Sequence, residues 1–308
     1  MLADSIIQDP LIKAGLGSGR QRLVEDIGKA HRFVLSDEFS AAADQIMRSS
    51  PVSTAKALPL ARLPYRLCWF ETKFAARTAF VEGDDLGPIF RKDISRIGIL
   101  IRSEDEGGLK WNCHLAWSFS TGECSIATYA AIIDISNDPP FNPQVDRTRF
   151  DDGTRTQEEV EAMYEMESRA SFFLSPYFGE LLAQPLFLKQ VEQAGIGDWV
   201  GEPVFWATAI ALLNSRNVAQ IEPGPDMTKL AKARRRRGKP EPLSYSICRI
   251  VPRIIDRGTS QSGSGKSGVR AHFVRGHFKV RSTGIYWWSP HVRGQATAGV
   301  VMKHYQVD

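Results

Sequence analysis

Apolar residues recur at helical spacing through the first 50 positions and then change period. Ser36 followed by Asp37 and Glu38 reads as an N-cap with acids in the first turn, opening a segment that runs through Phe39, Ala42, Ile46 and Met47 until Ser49-Ser50-Pro51 stops it. From Tyr65 to Ile133 short aromatic and β-branched runs alternate with turn clusters at Glu82-Gly83-Asp84-Asp85, Glu104 to Gly108 and Ser120-Thr121-Gly122. This pattern predicts strands near 65–73, 95–102, 109–118 and 124–133, connected as a meander.

Residues 137–153 hold too much Pro, Asn and Asp for regular structure. Thr156 with Glu159 then fits a capping box, and the helix it opens is expected to carry Val160, Met163, Tyr164, Phe172 and Phe173 before Pro176 and Pro185 interrupt it. A second helix is predicted near Pro203, running through Trp206, Ile210 and Leu213. Met227 to Arg237 reads as a basic helix ended by Gly238-Lys239-Pro240-Glu241-Pro242. Strand-like segments follow at 243–255, 269–281, 285–292 and 299–307, with a flexible Gly/Ser loop at 258–268.

The expected fold class is therefore α+β, an antiparallel sheet with flanking helices and a C-terminal basic β-hairpin unit. Its divisions are a helical N-terminal segment (1–60), a central β-meander (61–136), a loop plus helical region (137–228) and the basic β-unit (229–308). The two β regions are expected to be able to join in one sheet around the intervening helices.

Charge changes this picture more than length or hydrophobic content does. Residues 229–308 contain 17 Lys and Arg against three acids, whereas the preceding 228 residues contain 22 bases and 32 acids, so a whole-chain charge of +4 conceals segments of +14 and −10. A basic surface of that size points to a polyanionic partner, DNA or RNA, with an acidic host protein as the alternative. No apolar run reaches the ~18 to 20 residues of a membrane span, and the N-terminus does not follow the secretory pattern, so no membrane association and a cytoplasmic location are expected. Cys68, Cys113, Cys124 and Cys248 are scattered without zinc-ligand spacing and read as reduced core thiols; no metal or cofactor is expected.

Candidate chemistry concentrates in the same region. Gly263-Ser264-Gly265-Lys266-Ser267 resembles a phosphate loop, but Ser260 stands where the first glycine is needed, and a strand-like segment follows where a helix must start. No nucleotide site is expected there. Lys229 to Lys239 presents seven cations in eleven residues, more than a helix dipole can use; Arg234, Arg235, Arg236, Arg237 and Lys239 are the expected phosphate contacts.

Alternation along 270–281 places Arg275, His277, Lys279 and Arg281 on one face, opposed to His272, Val274, Phe278 and Val280. A Thr283-Gly284 turn would set Lys279 opposite Trp288 and Arg281 opposite Tyr286, and a one-residue slip would exchange Trp287 for Trp288. Aromatic rings beside cations suit base stacking with phosphate contact, and Arg293 extends the basic set. His277 and His291 form the best histidine pair for acid/base chemistry on a phosphodiester, which keeps a nuclease or RNase-like toxin as an alternative and leaves enzymatic activity undecided. Glu71 with Asp93, Asp134 or the Glu104-Asp105-Glu106 turn is a second, metal-dependent possibility, without a supporting motif spacing.

Arg234 to Leu243, Val269 to Phe278, Ile285 to Gly294 and Lys303 to Val307 together form a pattern (RRRRGKP, VRxHFxRGHF, PHVRG, KxYxV) that resembles an uncharacterised family of proteins encoded by tailed phages and prophages. Leu63 to Glu71 and Ile97 to Ile101 also fit it. The resemblance implies a viral or mobile-element origin and supplies no catalytic residues. The combined expectation is a phage- or prophage-derived, non-enzymatic nucleic-acid-binding protein.

Overall fold

The computed structural model describes residues 1–9, 18–78, 93–139, 142, 145–178, 192, 195–215, 217, 219–250, 270–274, 277–288, 291–293 and 295–301, with backbone alone at 18–20, 78, 270–274, 291–293 and 295–301. The Gly/Ser loop, Arg275 and His304 lie outside the described residues.

The fold is α+β around a mixed, mostly antiparallel nine-stranded sheet. Its meander consists of β2 (Leu67–Lys73), β3 (Ile94–Ser103), β4 (Lys110–Phe119), the short β5 (Cys124–Ile126) and β6 (Tyr129–Asp134). On one side the sheet continues through β7 (Ala170–Leu174); on the other it continues through β1 (His31–Leu35), β9 (Ser246–Ile250) and β8 (Ala219–Pro223), in the order β7-β6-β4-β3-β2-β1-β9-β8, with β5 on β4.

Two departures from sequence expectation have physical reasons. The sheet is mixed because β1, within the segment read as helical, runs parallel to both β2 and β9. Its five residues are too few to display a period, and the chain returns to β2 by the helical crossover that a parallel pair requires. Phe172 and Phe173 belong to β7 rather than to the preceding helix, which stops at Ser168. Aromatic and apolar residues at 170–174 fit either period, and pairing with β6 decides between them.

Helices cover both faces of the sheet. One face carries α1 (Leu2–Gln8) and α2 (Ser18–Lys29); the other carries α3 (Asp37–Ser49), α4 (Pro51–Ala57), α5 (Phe74–Thr78), α6 (Gln157–Ser168) and α7 (Glu202–Leu213). The caps read from sequence form as expected. Ser36 Oγ accepts the Phe39 N–H at 3.2 Å, and Thr156 with Glu159 makes the reciprocal capping box. Helix α7 is apolar all round and buried from Glu202 to Leu212, as a helix enclosed by other elements must be.

Buried charges are matched inside this core. Glu71, fully buried on β2, accepts the N–H groups of Leu2 and Ala3 at 3.1 Å each, the Trp69 indole at 2.9 Å and Arg96 Nη2 at 2.8 Å. Gly98 makes room for this arrangement, since a Cβ there would collide with the Trp69 ring. Glu202 likewise accepts from Arg77 and from the Trp206 indole, both at 2.9 Å, while the Arg77 guanidinium lies 3.7 Å from the centre of the Phe205 ring. The carboxylate considered for metal binding is thus already saturated with donors, which holds α1 to the sheet. Among the described residues no group of three or more His, Cys, Asp or Glu is placed to hold a metal ion. Cys68, Cys113 and Cys248 are buried free thiols and Cys124 is half-buried; burial pushes Cys68 and Cys248 up to about 12.

Beyond the main sheet, β11 (His277–Arg281) and β12 (Gly284–Trp288) form a two-stranded antiparallel pair, and β10 (Arg270–Val274), β13 (His291–Arg293) and β14 (Gln295–Val301) form a separate three-stranded sheet. No described helix is long and apolar enough to cross a membrane.

Candidate nucleic-acid interface

The β11–β12 pair is a hairpin with one face in the core and one outside. Phe278, Ile285 and Trp287 are buried in the same cluster as α7, and each contributes roughly 1.5–3 kcal/mol by leaving water. Its two edges are pinned by side chains far away in sequence. Ser53 of α4 accepts the Phe278 N–H at 3.3 Å, and the Asn217 amide pairs with the Trp287 peptide, accepting its N–H at 2.9 Å and donating to its carbonyl at 2.5 Å. Asn217 acts as a one-residue substitute for a third strand. Rigid placement of the inner face fixes what the outer face displays.

That outer face carries His277, Lys279, Arg281, Tyr286 and Trp288. The register differs from the one expected: the turn is Ser282-Thr283, so Lys279 pairs with Tyr286 and Arg281 with Gly284. The shift is two residues, which preserves the faces because strand side chains alternate with period two. Cations and rings therefore meet diagonally, Lys279 Nζ lying 4.4 Å from the Trp288 ring centre and Arg281 Cζ 5.7 Å from that of Tyr286. Trp288 is 40% exposed, and the His277 ring stands 6.1 Å from it.

The histidine pair is not assembled by this hairpin. His291 lies on β13, whose partner is β10, with Val274 opposite His291 and His272 opposite Arg293. The expected continuous strand over 269–281 is instead two strands, 270–274 and 277–281, that belong to different sheets. His277 and His291 are therefore not cross-strand neighbours, and Arg293 accompanies His291 on the separate sheet.

The second basic element, α8 (Thr228–Arg236), spans the connection between the edge strand β8 and its antiparallel neighbour β9. Asp226 opens it by accepting the Thr228 N–H at 2.9 Å and hydroxyl at 2.5 Å, hydrogen bonds that hold its carboxyl below the usual range. Gly238, at φ +65, closes it with the paired bonds of a Schellman motif, Lys239 N–H to the Arg234 carbonyl at 2.9 Å and Gly238 N–H to the Arg235 carbonyl at 3.1 Å. Between these stops no residue is buried.

Nine residues without a packed face are below the length at which an isolated helix holds in water, and Lys232 with Arg236 adds like-charge repulsion at i,i+4. Cations in the last turn recover part of this through the helix dipole. Arg235 pairs with Glu241 at 2.7 Å; Arg236, Arg237 and Lys239 are exposed with no acidic partner among the described residues. Arg234 is half-buried, and its Nη1 is shielded from solvent with no hydrogen-bond partner among the described residues.

The two basic elements are rooted on different faces of the sheet. After α8, Leu243 packs with the α1 and α2 cluster and donates its N–H to Asp4 at 2.9 Å, whereas the hairpin packs against α4 and belongs to the core cluster on the other face. Comparison with family models, with curated proteins and with solved structures finds no match. The interface is therefore read from its own chemistry.

Sequence reasoning missed Ser53, Lys56 and Asn217, which frame the hairpin from more than 200 or about 70 positions away. It also missed a partly buried network in which Ser175 Oγ lies 3.2 Å from His114 Nδ1, Tyr177 donates to Asp26 at 2.8 Å, and Arg102 pairs with Asp26 at 3.0 Å. Burial and the nearby Arg102 drive the His114 imidazole down to about 3, with Asp26 opposing weakly, so it is neutral at ordinary pH. Ser175 is fully buried and caps the following turn by accepting the Tyr177 N–H, a structural task. The local signal was weak, since an alternating strand with one histidine looks the same whether that histidine is buried or not.

Proposed function

We propose that the chain is a non-enzymatic nucleic-acid-binding protein of phage or prophage origin, using its basic C-terminal region. The observation that carries the reading is the outer hairpin face, where Lys279 and Arg281 lie against the rings of Trp288 and Tyr286 while the inner face is anchored in the core. An aromatic surface with cations against its rings offers stacking to bases and charge to phosphates together. The unburied helix α8 supports it from a second direction, because phosphate binding relieves the repulsion among its cations. Origin rests on the sequence pattern alone.

The test is binding of single- and double-stranded DNA and RNA across a salt series. Affinity should fall steeply as salt rises, and replacing Arg234, Arg235, Arg236 and Arg237 together by Ala should lower the slope of log K against log salt by about 0.7–0.9 for each phosphate no longer neutralised. Absence of binding at ~50 mM salt, or an unchanged slope in the fourfold variant, rejects the reading. Cleavage of the nucleic acid that disappears in His277→Ala would replace it with the nuclease alternative.

A further inference from the structure

The hairpin borders a groove of about 480 Å³ whose opposite wall is α4. Its size falls in the range of small-ligand pockets, roughly 300–1,000 Å³. Pro51, Val52 and Val280 supply an apolar side, and Lys56, His277 and Lys279 supply a basic one. Val280 is 43% exposed although it sits on the face that elsewhere enters the core, so the apolar side opens to water.

The charges around this groove are distributed unevenly. At one end Glu159 is engaged by the Thr156 N–H and hydroxyl at 2.9 and 3.0 Å. Beyond Lys56 and Val280 a second groove, of about 580 Å³, is lined by Glu158, Glu161 and Glu165 of α6. Lys56 faces Glu158 across 3.9 Å, but both side chains are at least 70% exposed, so the pair is screened and weak. A phosphate near Lys279 can therefore draw Lys56 away from it. On the α6 side Glu161 is paired with Arg147 at 2.7 Å and Glu165 with Arg169 at 2.6 Å; on the Trp288 side there is a ring with a cation over it.

Resting on the nucleic-acid reading above, we propose that the groove between α4 and β11 is a phosphodiester subsite for an unpaired strand, with Lys56 and Lys279 holding the phosphate and Trp288 stacking the neighbouring base. The geometry selects single strands because a base can reach Trp288 only when it is free of a partner, while its sugar lies along Val52 and Val280.

The experiment measures binding of oligo(dT), oligo(U) and a DNA duplex of equal length to the full chain, its Lys56→Ala and Trp288→Ala variants, and a Lys29→Ala control on α2, across a salt series. Lys56→Ala should weaken both single strands about three- to tenfold and lower their salt slope by about 0.7, the value for one phosphate fewer neutralised on a single strand. Duplex affinity and the Lys29→Ala control should stay unchanged. Unequal losses for oligo(dT) and oligo(U) would assign the sugar. Wild-type protein that binds nothing overturns the nucleic-acid reading and this one with it. Binding that is abolished on replacing Arg234 to Arg237 but is indifferent to Lys56→Ala and Trp288→Ala overturns the subsite alone, as does a duplex loss equal to the single-strand loss.

Discussion

Charge is handled in opposite ways by the nine-stranded sheet and by the basic elements attached to it. In the core around the sheet two buried carboxylates are enclosed by donors: Glu71 on β2 by two helix N–H groups, an indole and Arg96, and Glu202 at the start of α7 by Arg77 and a second indole. In α8, by contrast, Arg235 has Glu241, while Arg236, Arg237 and Lys239 have no acidic partner among the described residues. The first arrangement makes stability depend on particular charges, since a buried ion without its partner is costly. Under the proposed function, the second would make binding depend on charge in aggregate, with little consequence for folding. Mutation of the core should therefore register in denaturation, and mutation of the periphery in salt-dependent affinity.

The largest expected effect tests the core side of that contrast. Glu71→Ala leaves Arg96, the Trp69 indole and the first N–H groups of α1 without an acceptor in a buried site, and should cost about 3–5 kcal/mol in urea denaturation. A loss below ~1 kcal/mol would show that water or relaxation replaces the carboxylate, and that the core is no more dependent on single charges than the surface is. Nucleic-acid affinity of the folded fraction should not change.

A smaller effect separates the two regions by pH. His114 is held at about 3 in the folded chain, below the ordinary imidazole value of about 6.5, so the unfolded chain binds the extra proton between these values. The stability it contributes is present above pH 6.5 and is lost as pH falls towards 3, amounting to about 2 kcal/mol by pH 5. Comparing the stability-against-pH curves of wild type and His114→Gln should isolate this loss. Parallel curves would mean that His114 protonates in place.

Local rules made much of the fold legible. The caps at Ser36 and Thr156, the meander from 67 to 134, the helix at Pro203 and the basic helix before Gly238 all depend on neighbours within a few positions. What was hidden depends on distant partners. Strand β1 exists because β2 and β9 flank it, and Phe172 and Phe173 are extended because β6 is beside them. In the hairpin, alternation placed Lys279, Arg281, Tyr286 and Trp288 on one face correctly, yet the pairing was two residues off, because the position of the turn and not alternation sets the register. The basic groove was invisible, since Lys56 meets Lys279 only after more than 200 residues of intervening chain have folded.

The smallest effect bears on the boundary between the two regions, at the end of α8. Gly238 holds φ +65, where an L side chain is strained, and a Cβ there would meet no other atom, so Gly238→Ala changes backbone preference without a clash. The cost to the helix stop is ~1 kcal/mol. Because α8 buries no residue, that cost falls on the order of the helix and not on the sheet, so the urea midpoint should stay at the wild-type value. Nucleic-acid affinity should fall by less than about tenfold, with the salt slope intact, since the same cations reach the same phosphates from a less ordered helix. A lowered urea midpoint would show that α8 is tied to the core after all, and the division between a charge-matched sheet and an independent basic helix would have to be withdrawn.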